Sequence, residues 1–420
     1  MANNLSSNIT RPLAKIFLEA FESSRVVTKT VNTQLLSGKF NPSTGTKVDF
    51  KRPHDYNTIR SAGGDISAAA KSDIIAGKAT GTVQEYFTAA TEWSNIQEAL
   101  ELDQLDQILE PMARRLVTDL ELDLAKFMRI NTGLNYGARG TAVDAWSDVA
   151  GAGAMMDSVG VPMSDNKYYL MNPFTTTSLA SAQSGLNAAD GLVRTAFEKA
   201  QIASNFGGMK ALTSNALSSY TSGSTTDRLG DLKTAPDATY VTAKDTMQQT
   251  MVIETLGTGT IEAGDQIQVA GVNRLNIATR QLILDATGAA VPWTGTVLSV
   301  VTIAGNEATV VVSGAAIFEA NGQYNNVDAA PAAGAVVTIL GAAATVYQPN
   351  LFYTEQAFGL GTVKLPKLYS TDTVATTSDG MSIRVSKYSD GDANTQKIRF
   401  DLLPAYACFN PNFAGQGYGV

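Results

Sequence analysis

Between Leu105 and Phe127 apolar residues recur every three or four positions, at Leu105, Leu109, Met112, Leu116, Leu120, Leu124 and Phe127. That is the spacing of one helix face. Ser94-Asn95-Ile96-Gln97 reads as a capping box ahead of it, and Asn131 and Gly133 as stop signals, so the pattern predicts a helix from about Ser94 to Ile130. At 1.5 Å per residue it would span roughly 50 Å, with a kink just before Pro111. Glu98, Glu101, Asp103, Asp106 and Glu110 precede the first base, Arg114. They read as a solvated acidic face at the positive end of the helix dipole.

Upstream, Leu13, Ile16, Phe17, Ala20 and Phe21 share one face behind Thr10 and Pro12. This predicts a short amphipathic helix that acts as an arm until something receives its apolar side. Lys47 to Arg52 then alternates and stops at Pro53, and Gly81 to Thr88 gives a second candidate strand. The polar stretch between them contains Gly63-Gly64, Asp65 and Gly77-Lys78. The simplest expectation is an extended two-stranded loop reaching away from its own core, which needs a neighbouring surface because isolated hairpins are marginal in water.

From Gly133 to Ala216 the pattern is mixed. Helices are expected at Asp144–Met156 and Ala188–Ser204, with a buried strand over Lys167–Met171 that ends at Asn172-Pro173. Beyond Leu217 the period changes to two. Strands are expected at Gln249–Thr255, Gln266–Ala270, Arg280–Asp285, Thr296–Ile303, Ala308–Val312 and Val336–Leu340, with Gly305-Asn306 as a tight hairpin. Six strands at this spacing predict a small antiparallel barrel. Thr221–Ala235 and Asp285–Thr294 are its expected protrusions. Asn350–Tyr353, Met381–Tyr388 and Lys397–Tyr406 return to the first domain. The predicted class is α+β: an arm over 1–37, an extended loop over 38–90, a spine helix and mixed core over 91–217, an inserted β-barrel over 218–346, and a return to the core over 347–420.

Composition narrows the chemistry. Of 420 residues, one is His and one is Cys, which excludes a multi-His metal site, an intrachain disulfide and a CxxC pair. His54, beside Asp55, reads as an exposed loop residue and Cys408 as a small buried hydrophobe. Gly151-Ala152-Gly153 and Gly415-Gln416-Gly417-Tyr418-Gly419 lack the strand and helix that a nucleotide site requires. Nothing forms a catalytic set, and neither a cofactor nor a metal is expected. A net charge of −8 argues against a dedicated nucleic-acid reader. Without a run of about 18 apolar residues or a signal-like start, the expectation is a cytosolic product that spans no membrane.

The order of parts resembles the major capsid (coat) proteins of tailed phages with the Hong Kong 97 type of fold. The inserted barrel is similar to the one in coat proteins of short-tailed phages of Salmonella and related enteric bacteria. The residues that carry the resemblance are Lys78-Ala79-Thr80-Gly81, Leu122-Asp123-Leu124-Ala125-Lys126, Gly264-Asp265-Gln266-Ile267 with Ala270-Gly271-Val272, and Asn350-Leu351-Phe352-Tyr353. The resemblance implies a non-enzymatic virion subunit. It would assemble in the bacterial cytoplasm, as hexamers and pentamers with a scaffolding protein, into an icosahedral procapsid around a portal. The shell would expand as double-stranded DNA is packaged, enclosing the DNA without specific binding. It further implies scaffold contact through Glu19 and Glu22, although Lys15 stands where an acid is expected, and inter-subunit ion pairs at Lys51, Arg52, Asp55 and Arg60. The covalently cross-linking variant needs a Lys–Asn arrangement that is not placed here, so non-covalent shells are expected. A β-rich adhesin-like surface protein is the competing class, and an enzyme built on the mixed domain comes third.

Overall fold

The computed structural model describes residues 17–35, 40, 45–94, 105–184, 199, 202–369 and 372–420. The chain forms two compact units, one of residues 1–49, 80–125 and 358–407, the other of residues 50–79, 126–357 and 408–420.

In the first unit the long helix runs Leu105–Ile130, with its last five residues continuing into the second. Its 26 residues span roughly 39 Å at 1.5 Å per residue. Of the expected stripe Leu109, Leu116, Leu120 and Leu124 are buried while Met112 and Phe127 are half-buried, and Ala113 and Val117 join the buried face; Pro111 lies inside the helix. The predicted start at Ser94 is wrong. Ser94 closes a strand, Phe87–Ser94, in which Phe87, Ala89, Thr91 and Trp93 alternate with exposed positions. The period of two there outweighs the short capping signal. Glu98, Glu101 and Asp103 lie outside the described residues; Glu110 is exposed and pairs with Arg114.

That strand lies at one edge of a four-stranded antiparallel sheet with Thr373–Thr376, Ser382–Asp390 and Thr395–Leu402. A second sheet takes Lys47–Lys51, Lys78–Val83, Pro404–Cys408 and Phe358–Thr362 in that order. The expected strands Gly81–Thr88 and Lys397–Tyr406 are therefore each broken, at residues 84–86 and at Leu403, and shared between the two sheets.

The second unit holds a six-stranded sheet in the order Leu134–Tyr136, Ala414–Gly417, Asn350–Thr354, Lys167–Met171, Met209–Thr213, Asn205–Phe206. Helices Trp146–Val159 and Pro173–Ser184 accompany it. The second helix begins where the sequence pattern places only the end of a strand, because Pro173 is tolerated in a first helical turn. Most of Ala188–Ser204 lies outside the described residues, and residues 202–204 are not helical. Gly415 occupies a central strand, where an added Cβ would overlap the Phe352 ring and crowd Leu134. The C-terminal glycines are thus close-packing positions.

The barrel is closed by six strands, in the order Gln248–Glu254, Ala308–Ser313, Pro292–Val297, Gln266–Asn273, Val336–Ile339, Leu229–Leu232. Met251, Ile253, Ile267, Val269, Trp293, Val310 and Val312 are among the residues that fill it. Gly305 (φ 61°) and Asn306 (φ 64°) make the expected tight turn, since both central positions of that turn need left-handed backbone. Arg280–Asp285 is not a barrel strand; Leu282 and Leu284 make isolated bridges inside a loop. Leu229–Leu232, inside the segment expected to protrude, takes its place. The expected Thr296–Ile303 strand ends at Val297, and Val301–Thr302 pairs instead with Thr260–Ile261.

Candidate assembly site

Residues 52–77 leave the strand Lys47–Lys51 and return into Lys78–Val83 without a regular element of their own. The two limbs are tied at the base. The Arg52 amide donates to the Gly77 carbonyl at 2.9 Å. The Arg52 side chain donates to the carbonyl of Lys78 (3.1 Å) and to that of Phe409. Burial pushes the Arg52 pKa down, opposed by Cys408, Tyr240 and Asp245. Further out, the Asn57 amide donates to Ser72 Oγ at 2.9 Å.

A second set of contacts joins these limbs to the barrel. Asn57 Nδ2 donates to the Asn321 carbonyl at 2.7 Å, and Gln323 Nε2 to the Asp73 carbonyl at 2.6 Å. The Asp55 carboxylate pairs with the Arg280 guanidinium. Ile75 packs beside Tyr240, Ala243, Met247, Ala315 and Ile317, and the Tyr240 and Tyr324 rings stack at 3.7 Å. The stem of the segment is therefore held against residues of the barrel segment. Residues 56–68 are exposed without a break. Tyr56, Ile59 and Ile66 lie among them, with Ile74 beyond at 76% exposure.

The root of the arm lies in the first unit. A helix over 17–24 buries Phe17 and Phe21, and Phe17 stacks on Phe400 at 3.9 Å. Glu121 of the long helix accepts the amides of Val26 and Val27 (2.8 Å) and Thr28 (3.4 Å). Its burial raises its pKa, while those amides pull it the other way. Buried Arg25 pairs with Asp379 at 2.8 Å.

The barrel is fastened inside the second unit by buried charge. Asp265 accepts the amides of Gly223 (2.9 Å) and Glu262 (3.1 Å), with Arg139 at 3.7 Å and Arg228 at 3.9 Å from its other oxygen. Arg139 donates to Gly264 O and Gln416 Oε1, both at 3.0 Å, and to the Tyr220 hydroxyl. Arg129 lies 4.2 Å over the Tyr220 ring. Burial works to lower the Arg139 pKa, but Tyr418, Tyr220 and Asp265 outweigh it, and the net direction is upward. Arg274, fully buried, donates to the carbonyls of Gly133 and Thr294 (2.9 Å) and to Asn412 Oδ1 (3.3 Å). Without a carboxylate partner among these, burial pushes its pKa down to about 9.

Of the residues singled out from the sequence, Arg52 and Asp55 are engaged within the chain, while Lys51 and Arg60 are exposed. Glu22 accepts the Ser378 amide at 2.6 Å, and Glu19 is exposed on the same helix; Lys15 lies outside the described residues. His54 is exposed. Cys408 is half-buried, and burial pushes its thiol up to about 12 despite nearby Arg52. Among the described residues no group of three His, Cys, Asp or Glu is placed to hold a metal, and no helix is long and apolar enough to cross a membrane. Sequence reasoning missed Arg280, Gln323 and Tyr324. They meet the loop across 225 or more residues of chain, a separation that leaves no local signal.

A major capsid protein of Acyrthosiphon pisum secondary endosymbiont phage 1 is 47% identical over 424 residues, covering all of both chains. Among solved structures, the capsid of cyanophage P-SCSP1u is similar at 13% identity and TM-score 0.45, over 93% of this chain and 86% of that one. Mycobacterium phage Che8 is similar at 11% identity and TM-score 0.46, over 94% and 89%. The family model described as P22 coat protein, gene protein 5, matches residues 1–419. The chain belongs to the P22 coat protein family.

Proposed function

We propose that this phage major capsid protein co-assembles with a scaffolding protein into an icosahedral procapsid of the Hong Kong 97 type, built around a portal, which expands as DNA is packaged. The observation that carries the reading is the tip of the extended segment. Residues 56–68 expose Tyr56, Ile59 and Ile66, and a neighbouring subunit gives that surface a cover. Lys51 and Arg60, exposed near the base and tip, supply charges for the contact between subunits; Asp55 and Arg52 set the loop's course. Glu19 and Glu22 are the proposed scaffold contacts, and residues 218–346 form the insertion. The net charge of −8 suits a wall that encloses DNA without holding it. Assembly in the host cytoplasm and residence in the virion follow from this role.

Replacing residues 58–71 by a short Gly-Ser link tests the reading. The variant should keep the thermal transition of the wild-type subunit, yet sediment as subunits when co-expressed with the scaffolding protein. Particles at wild-type yield from the shortened chain would overturn it.

A further inference from the structure

The loop stem is gripped from one place on the barrel. Arg280 has φ 59°, a left-handed conformation uncommon for any residue but glycine. Asn276 organises the turn that imposes it: its side chain accepts the amides of Ala278 (2.9 Å) and Thr279 (2.8 Å), and its carbonyl accepts that of Arg280 (2.8 Å). From there the guanidinium reaches the carbonyls of Gln323 and Asn325 (2.7 Å) together with the Asp55 carboxylate. The segment it fastens grips the other limb, through Gln323 to the Asp73 carbonyl at 2.6 Å and through the Tyr324 hydroxyl to the Ile75 carbonyl at 3.5 Å. One arginine therefore links both limbs of the stem to the barrel, and the tip begins just beyond, after Asn57 donates to the Asn321 carbonyl.

We infer that the inserted barrel is the pedestal of the extended loop, with Arg280 as the positioning residue that fixes the direction in which the tip leaves the subunit. A tip on an unpinned stem samples many directions, and each contact it then makes must include the cost of ordering it; pinning the stem beforehand lowers that cost. The inference rests on the reading that the tip covers a neighbour, and it gives the barrel a part in assembly through the loop.

The grip is read in the unassembled, full-length chain by limited trypsin digestion after Arg60 and Lys71, both exposed in the tip. Asp55→Asn removes the charge on the loop side and leaves the barrel's own contacts in place. Trypsin draws several residues on either side of the scissile bond into its cleft, and the pinned positions Asp55, Asn57, Ser72 and Asp73 closely flank both sites. Cleavage therefore follows the population of the released stem, and Asp55→Asn should be cut about fivefold faster, as befits a partly exposed ion pair. The thermal transition should stay unchanged, and Asp55→Glu should restore slow cleavage. Co-expressed with scaffold, Asp55→Asn should give open sheets or shells of mixed diameter, and Asp55→Glu uniform ones. Wild-type cleavage rates in Asp55→Asn would overturn the grip; fast cleavage with uniform wild-type shells would overturn its positioning role. Absence of shells from the wild-type chain would instead strike the assembly reading, and the cleavage comparison would still decide the grip.

Discussion

Asp265→Asn tests how the barrel is held, because it removes a charge and keeps the shape. Asp265 is fully buried. One oxygen accepts two amides, and the other faces Arg139 at 3.7 Å and Arg228 at 3.9 Å. In the asparagine variant the oxygen must stay with the amides, so the NH2 group faces two guanidiniums, donor against donor. Arg228 is partly exposed and can turn toward water, whereas the Arg139 side chain is 1% exposed and cannot. Breaking a buried pair by removing one partner costs about 3–5 kcal/mol. The separations here exceed hydrogen-bond length, which favours the lower end. At about 3 kcal/mol the melting temperature should fall by roughly 6–12 °C, from 2–4 °C per kcal/mol for units of this size. Urea unfolding of the full-length subunit, followed by tryptophan fluorescence with Trp293 buried in the barrel, measures the cost. Arg228→Met is the control, at about 1 kcal/mol or less. An Asp265→Asn loss no larger than that of the control would refute the assignment of the fastening to buried charge.

Three further outcomes follow from other parts of the molecule. Gly415→Ala should cost about 1–3 kcal/mol in urea unfolding, because the methyl overlaps Phe352 and Leu134; an unchanged midpoint would mean the sheet has room there. Asp401, buried against Thr88 (2.7 Å), Arg384 (2.6 Å) and Arg399 (2.6 Å), has its pKa lowered; burial opposes the shift, but those donors outweigh it. A depressed folded-state pKa adds stability above the usual carboxylate value of about 3.9, lost as pH falls below it. Asp401→Asn should therefore be less stable at pH 7 and show a flatter acid limb, and an identical acid limb would contradict this. The Cys408 thiol, pushed up to about 12, should resist iodoacetamide at pH 8 until urea is added, so rapid labelling of the native chain would show an open thiol.

Legibility in the sequence followed the range of the interactions. The helix stripe from Leu109 to Leu124 and the strand Lys167–Met171 are set by neighbours in the chain, and their periods show it. The barrel was visible as alternation, but its membership was not. Arg280–Asp285 alternates like a strand yet makes only isolated bridges, to Leu275 and Ala290, while Leu229–Leu232 is too short and too closely flanked by loop residues to stand out. At Ser94 a capping signal competed with a period of two, and pairing with Thr395–Leu402 across the whole strand decided the outcome. The charges of the loop were visible as candidates, but the partner of Asp55 was not. Arg280 reaches it through a left-handed turn that periodicity does not encode.

Electron microscopy of the purified full-length chain, alone and mixed with the proposed scaffolding partner, tests the central claim most directly. The account predicts closed shells of uniform diameter in the mixture. Subunits that stay monomeric with scaffold present, at concentrations well above those of assembly, would contradict it.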